Sequence, residues 1–268
     1  MPRGAGICLY GTVAPFFGST RILAWASGSA SAANALSTPS GATEPVTRSP
    51  RECTARSVRL SSVASMRVFH REYAGRPLRV VWTLEELGQP YDLETMTYEQ
   101  GRSDEHLARH PLGRVPVVED EQGYIFESAA ICLHLADLHP DAGLIAPLGT
   151  HERALVYQWA CFAPGELEPP LIEAAIFAEA QPERAEKART RFSEAAEAIA
   201  DALDGDEYLA GNRFTVADIM VGTALGFTSR AGFDEVLAPA LKDYVARLTE
   251  RPAYQTARER TSALAASK

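Results

Sequence analysis

The sequence predicts a small α/β domain followed by an all-helical domain, and two observations carry that prediction. From Met66 onward, strand-like and helical apolar patterns alternate as β-α-β-α-β-β-α within about 75 residues. After Pro140 no strand pattern appears, and helical stretches follow one another, punctuated by Pro or Gly.

Met66–His70 is a short strand candidate. Leu78 to Leu87 predicts an amphipathic helix, because Val80, Leu84 and Leu87 recur at i, i+4 and i+7 and Gly88 stops it. Tyr91–Met96 predicts a second strand and Ser103–Arg109 a short helix. Val115–Val118 and Tyr124–Phe126 predict two strands around the turn Glu121-Gln122-Gly123, and Ala129–Leu138 a helix that Pro140 ends. Further helices are expected over His151–Ala163, Leu171–Ala180, Pro182–Leu203, Val216–Thr228, Phe233–Thr249 and Pro252–Ala265. The two domains are therefore expected over 66–142 and 149–265.

Composition narrows the function classes. The 268 residues hold 26 Lys+Arg against 35 Asp+Glu, a net charge of −9, which argues against a nucleic-acid binder. No run approaches the roughly 18 apolar residues that a membrane-spanning helix needs. Cys8, Cys53, Cys132 and Cys161 fall at wide, irregular spacings that make neither a disulfide framework nor a metal site. A reducing, cytoplasmic setting fits them, and no metal is expected.

Residues 1–65 differ from the rest. They carry Arg3, Arg21, Arg48, Arg51, Arg56 and Arg59 against only Glu44 and Glu52, a net of +4. Ala, Ser, Thr, Gly and Pro make up 39 of these 65 residues, too few apolar side chains to offset the entropy of ordering, so a disordered extension is expected. A transit peptide, a weak signal peptide around Ile7–Phe17, a plain tail and a start assigned upstream of Met66 all remain open. A chain beginning at Met66 should melt within about a degree or two of the full-length chain, because deleting disordered residues removes few native contacts. A larger drop in a thermal melt would show that the extension packs on the domain.

Four stretches carry chemistry, each with a plainer structural alternative. In His110-Pro-Leu-Gly-Arg-Val-Pro-Val117, Pro116 cannot donate to a sheet ladder and marks a strand start. Val115-Pro116 is a candidate cis bond that would offer the backbone of Val115 to an extended peptide; an ordinary loop-to-strand junction is the alternative. At Glu127-Ser128-Ala-Ala-Ile131 a strand passes directly into a helix, with Ser128 where an N-cap would sit. A helix start takes a carboxylate and Glu127 an ammonium, which together match an α-amino acid head group; a simply capped helix is the alternative. Thr215 and Asp218 form a capping box whose role is structural, with loss of Asp218 expected to cost on the order of 1 kcal/mol or more. Finally, Arg71-Glu-Tyr-Ala-Gly-Arg-Pro77 lies between the first strand and its helix, where open α/β folds bind ligands; a solvated loop is the alternative.

These residues together resemble the soluble glutathione transferase superfamily, in its bacterial-like form. The resemblance rests on Leu78-Arg-Val-Val-Trp-Thr-Leu-Glu-Glu-Leu-Gly88, Pro111-Leu-Gly-Arg-Val-Pro116, Glu127-Ser-Ala-Ala-Ile131, His134-Leu-Ala-Asp-Leu-His-Pro140 and Thr215/Asp218, in the family's order and spacing. It implies a thioredoxin-like N-terminal domain that binds glutathione, an all-α C-terminal domain, and an enzyme that activates the glutathione thiol for attack on a small hydrophobic electrophile or a peroxide. A non-catalytic glutathione- or protein-binding member is the alternative. It further implies a homodimer, glutathione as co-substrate and no metal. Carried over, Val115 would pair with the cysteinyl backbone, Glu127 and Ser128 would hold the γ-glutamyl head, and Arg114 would assist a carboxylate. Trp159 and Phe162, at i and i+3 on one helix, would face the co-substrate, with core packing as the alternative. The family's usual activating Ser or Cys would fall near 72–74, where the only hydroxyl is that of Tyr73. Tyr73 is therefore the candidate catalytic group, with backbone N–H groups near Gly75 in support.

Overall fold

Strand β1 (Met66–His70) turns Val68 and Phe69 into the interior, and its neighbour β2 (Tyr91–Thr95) runs parallel to it. Helix α1 (Gly75–Leu87) makes the crossover between them. The computed structural model describes residues 66–71, 75–228 and 233–263. The expectations about residues 1–65 and about Tyr73 lie outside the described residues. Strand β3 (Val117–Asp120) pairs antiparallel with β1 and with β4 (Gly123–Phe126), giving the sheet order β2-β1-β3-β4. Short α2 (Asp104–Arg109), capped by the Ser103 hydroxyl, precedes β3, and α3 (Ser128–Leu138) follows β4 without a loop.

The rest of the described chain is mainly helical: α4 (His151–Phe162), α5 (Glu168–Phe177), α6 (Pro182–Leu203), α7 (Val216–Leu225), α8 (Pro239–Thr249) and α9 (Pro252–Ala263). Helix α7 is apolar all round, and every one of its residues is buried, so it is the axis of the helical domain. Helix α1 packs against α3, α7 and α9, which joins the two domains in a shared core. The Trp82 ring lies 4.9 Å from that of Tyr254 and 5.7 Å from that of Phe214, with its Nε1 donating to Glu86 at 2.9 Å. Glu86 also takes a two-pronged bond from Arg251, at 2.6 and 2.8 Å, and Glu85 pairs with Arg260 at 3.0 Å. The neighbouring acids of α1 thus hold the residue before α9 and the last turn of α9.

The glutathione-transferase-like architecture expected from sequence is the one observed, with local differences: β3 starts at Val117 rather than Val115, α1 starts at Gly75 rather than Leu78, and three more follow from prolines. Helix α5 begins at Glu168 rather than Leu171, because Pro169 and Pro170 fit a first helical turn, where a missing N–H breaks no bond. A π-helical turn, Ala163–Leu167, joins α4 to α5 and accommodates Pro164. The helix expected from Phe233 breaks into a 3₁₀ turn, Asp234–Val236, and α8, because Pro239 cannot sit inside a helix but can open one.

Candidate functional site

Sheet register assembles the site. Val117 of β3 lies opposite both Phe69 of β1 and Phe126 of β4. The ladder ends at the Val117–Phe126 pair, so the residues just before β3, Val115 and Pro116, and those just after β4, Glu127 and Ser128, leave the sheet at the same edge. Arg71, the residue after β1, reaches the same edge through the Gly113 carbonyl. Two of the four stretches singled out from the sequence therefore meet there, together with Arg71 of a third.

The loop ahead of β3 is tightly held. His106 is fully buried, and its Nε2 lies 2.9 Å from the Arg114 carbonyl, which fixes that nitrogen as the donor. Arg71 donates from Nη2 to the Gly113 carbonyl at 2.6 Å. The Leu112 N–H donates to Nδ1 of His110 at 3.1 Å, which requires an unprotonated Nδ1. Burial pushes the His110 pKa down, with Glu127 opposing, so the ring is neutral at pH 7 as that bond demands. Gly113 has φ +62°, and a Cβ there would fall 2.2 Å from the Gly101 carbonyl oxygen, so only glycine lets the loop lie this close. The Val115–Pro116 bond is cis. Val115 is half-buried, Pro116 is buried and the Arg114 side chain is exposed.

Across from it, Glu127 is exposed and has φ +70°. A non-glycine residue is held there only by its surroundings, and such strain gathers at binding sites. Ser128 is the first residue of α3 rather than its N-cap; Glu127 occupies the cap position, and no side chain caps the helix. The reason is that the backbone turns at Glu127, which leaves the Ser128 hydroxyl inside, 3.4 Å from Nη1 of Arg79. The first-turn N–H groups of α3 have no carbonyl of their own helix to reach.

Arg79 and His106 were not recognised from sequence as parts of this edge. The available signal was a lone arginine within the apolar run Leu78-Arg-Val-Val-Trp82. A charge there is either an error of pattern or a buried partner.

At the start of α1, Gly75 packs against the Phe227 ring so closely that a Cβ would fall 1.6 Å from it. A cavity of about 520 Å³ opens beside that turn, lined by Gly75, Leu78, Phe227, Val245, Tyr254 and residues near them on α7, α8 and α9. Trp159 and Phe162 do not line it. Trp159 is buried in the shared core with its ring 5.1 Å from that of half-buried Phe162.

Thr215 and Asp218 form the expected capping box: Thr215 Oγ1 accepts from the Ala217 N–H at 3.2 Å, and Asp218 accepts from the Thr215 N–H at 2.8 Å. Asp218 also accepts from the Leu209 N–H at 3.0 Å and from the Tyr244 hydroxyl at 2.8 Å.

The two described cysteines differ. Cys132 is buried, and burial pushes its thiol up to about 11. Cys161 is exposed, because Trp159, Ala160 and Ala163 take the inward face of this stretch. In a folded chain starting at Met66, iodoacetamide at pH 8 should therefore modify Cys161 alone, and Cys132 only after denaturation, as mass spectrometry would show. Among the described residues no group of three or more His, Cys, Asp or Glu is placed to hold a metal ion, and no helix is long and apolar enough to cross a membrane.

An edge that offers loop backbone, a helix start and a carboxylate suits an extended peptide with a free amino acid head, the arrangement of thioredoxin-like domains joined to a helical domain. Residues 64–137 match the N-terminal domain of glutathione S-transferases and residues 181–247 their C-terminal domain, and the chain belongs to that family. It is similar to glutathione S-transferase GstA of Escherichia coli O157:H7, at 27% identity over 180 residues, 65% of this chain and 89% of that protein. The crystal structure of a glutathione transferase from Methylococcus capsulatus str. Bath matches with a TM-score of 0.66 at 27% identity, over 73% of this chain and 98% of that one. The glutathione transferase URE2P8 of Phanerochaete chrysosporium, solved with oxidized glutathione, shares the fold with a TM-score of 0.70 at 19% identity, over 78% of this chain and 100% of that one.

Proposed function

We propose that this chain is a glutathione transferase that binds glutathione at the β3–β4 edge and activates its thiol for attack on a small hydrophobic electrophile or a peroxide. The observation that carries this reading is the strained Glu127 at the start of α3, set by sheet register beside the loop bearing Val115. In this reading Val115 pairs with the cysteinyl backbone, Glu127 takes the γ-glutamyl ammonium, and Ser128 with the α3 N–H groups takes its carboxylate. Arg114 is close enough in sequence to reach a carboxylate of the same ligand. Tyr73 is the group proposed to stabilise the thiolate, helped by the α1 N-terminus. The cavity beside Gly75 gives a co-substrate room next to that turn, whereas Trp159 and Phe162, expected to face the co-substrate, do not line it. No resident metal is part of the mechanism, and the setting is cytoplasmic.

The energetic demand is modest. Lowering a thiol pKa from about 8.5 by about two units requires roughly 2.7 kcal/mol. One charge-assisted hydroxyl bond supplies about 1.5–3 kcal/mol, and a helix N-terminus adds to it. The test is an ultraviolet titration of thiolate absorbance in the glutathione complex. An apparent pKa near 6–7 fits the enzyme. An unshifted pKa in a complex that forms favours the second reading, a non-catalytic glutathione binder, which the lack of Ser or Cys at 72–74 motivates. The assembly proposed is a homodimer, supported by exposed apolar Leu112, Tyr124, Phe126 and Tyr157; light scattering that gave a monomer mass at micromolar concentration would contradict it.

A further inference from the structure

Arg79 has no solvent exposure at all. Its Nη2 pairs with Glu168, the first residue of α5, and its Nη1 lies 3.4 Å from the Ser128 hydroxyl oxygen. Its Nε makes no hydrogen bond. Arg76, three residues earlier on the same helix, approaches the other oxygen of Glu168, with Nε at 2.9 Å and Nη2 at 2.8 Å. One nearly buried carboxylate is thus shared by two guanidinium groups, and the cluster keeps an unbalanced positive charge next to the first residue of α3.

Burying an incompletely neutralised guanidinium is costly, so its place invites a reason beyond packing. Burial lowers the Arg79 pKa and Glu168 raises it, the balance expected of a charge kept by its partner. The direction of the contact to Ser128 supplies the reason. A guanidinium has donors only, so the Ser128 oxygen must accept, and its single hydroxyl hydrogen is left to be donated elsewhere.

We infer that Arg79 is a positioning residue: it holds the Ser128 hydroxyl as a donor to the γ-glutamyl α-carboxylate of glutathione, and the cluster's surplus charge draws that carboxylate to the α3 N-terminus. Glu168 anchors the guanidinium, so the helical domain sets the geometry of a subsite built on the other domain. This rests on the glutathione reading above and extends it to two residues, Arg79 and Glu168, that touch no ligand themselves.

The test is calorimetric titration of the full chain with glutathione and with γ-aminobutyryl-cysteinyl-glycine, the same tripeptide lacking only that α-carboxylate. Arg79→Gln should weaken glutathione about tenfold and the decarboxylated analogue less than about twofold, with Arg79→Lys recovering part of the loss. Arg76 is partly exposed, does not touch Ser128 and reaches the buried cluster only through Glu168, so Arg76→Gln keeps the test alive if Arg79 variants do not fold. It removes the surplus charge and should weaken glutathione about threefold while sparing the analogue. Equal loss for both ligands would make Arg79 a packing residue and overturn the inference, as would unchanged glutathione affinity in Arg76→Gln. A wild-type chain that fails to bind glutathione at millimolar concentration fails the underlying reading instead, before any variant is compared.

Discussion

Replacing Asp218 with alanine is expected to destabilise the chain by about 3–5 kcal/mol and to lower its melting midpoint by roughly 10 °C. The sequence motif alone supports a smaller figure, because a capping box accounts for only the two partners at the helix start. In the fold the carboxylate also satisfies the Leu209 N–H and the Tyr244 hydroxyl, which would otherwise be buried without acceptors. Burial pushes the Asp218 pKa up, and those donors pull against it. Tyr244→Phe removes one donor from a carboxylate that keeps the others, so it should cost only about 1 kcal/mol. Urea melts of both variants decide the matter: similar small losses would mean that Asp218 does not tie α7 to α8 and to the segment before it.

Glu127→Gly should separate binding from stability. Glycine adopts φ +70° freely, so relief of strain offsets its extra unfolded-state entropy, and the melting midpoint should stay level or rise. Losing the carboxylate should at the same time weaken glutathione about 10–100-fold, the worth of one or two charge-assisted bonds. Glu127→Gln should lose nearly as much affinity without the gain in stability. If the glycine variant bound glutathione normally, the strained glutamate would have no part in recognition, and the candidate site would lose its principal support.

The fold was legible where it depends on local rules. Helix Pro182–Leu203 appears with the bounds its periodicity predicts, since an opening proline and an alanine-rich apolar stripe are both written in neighbouring residues. Register did the same for the site, because Val117 and Phe126 are neighbours in a tight hairpin closed by Asp120, whose Oδ1 accepts from the Gln122 and Gly123 N–H groups. What stayed hidden was long-range. Arg76 and Glu168 are 92 positions apart, and nothing near either residue announces the other. The misplacement of the α3 cap has a similar origin. Serine at a strand-to-helix junction favours an N-cap by propensity, yet here a buried guanidinium takes its oxygen and the backbone turns one residue earlier.

Helix α1 belongs by sequence to the first domain, but much of its surface is spent on the second. Trp82 lodges between rings of the helical domain, Glu85 and Glu86 hold α9, and Arg76 and Arg79 reach α5. A protein whose sequence boundary cuts through its main contact surface has modules of ancestry, not of folding. Its halves can be compared separately with relatives, but part of the interior of each is completed by the other. Denaturant should therefore melt sheet and bundle together in one cooperative step, and a change that loosens the bundle reaches the candidate site largely through this helix.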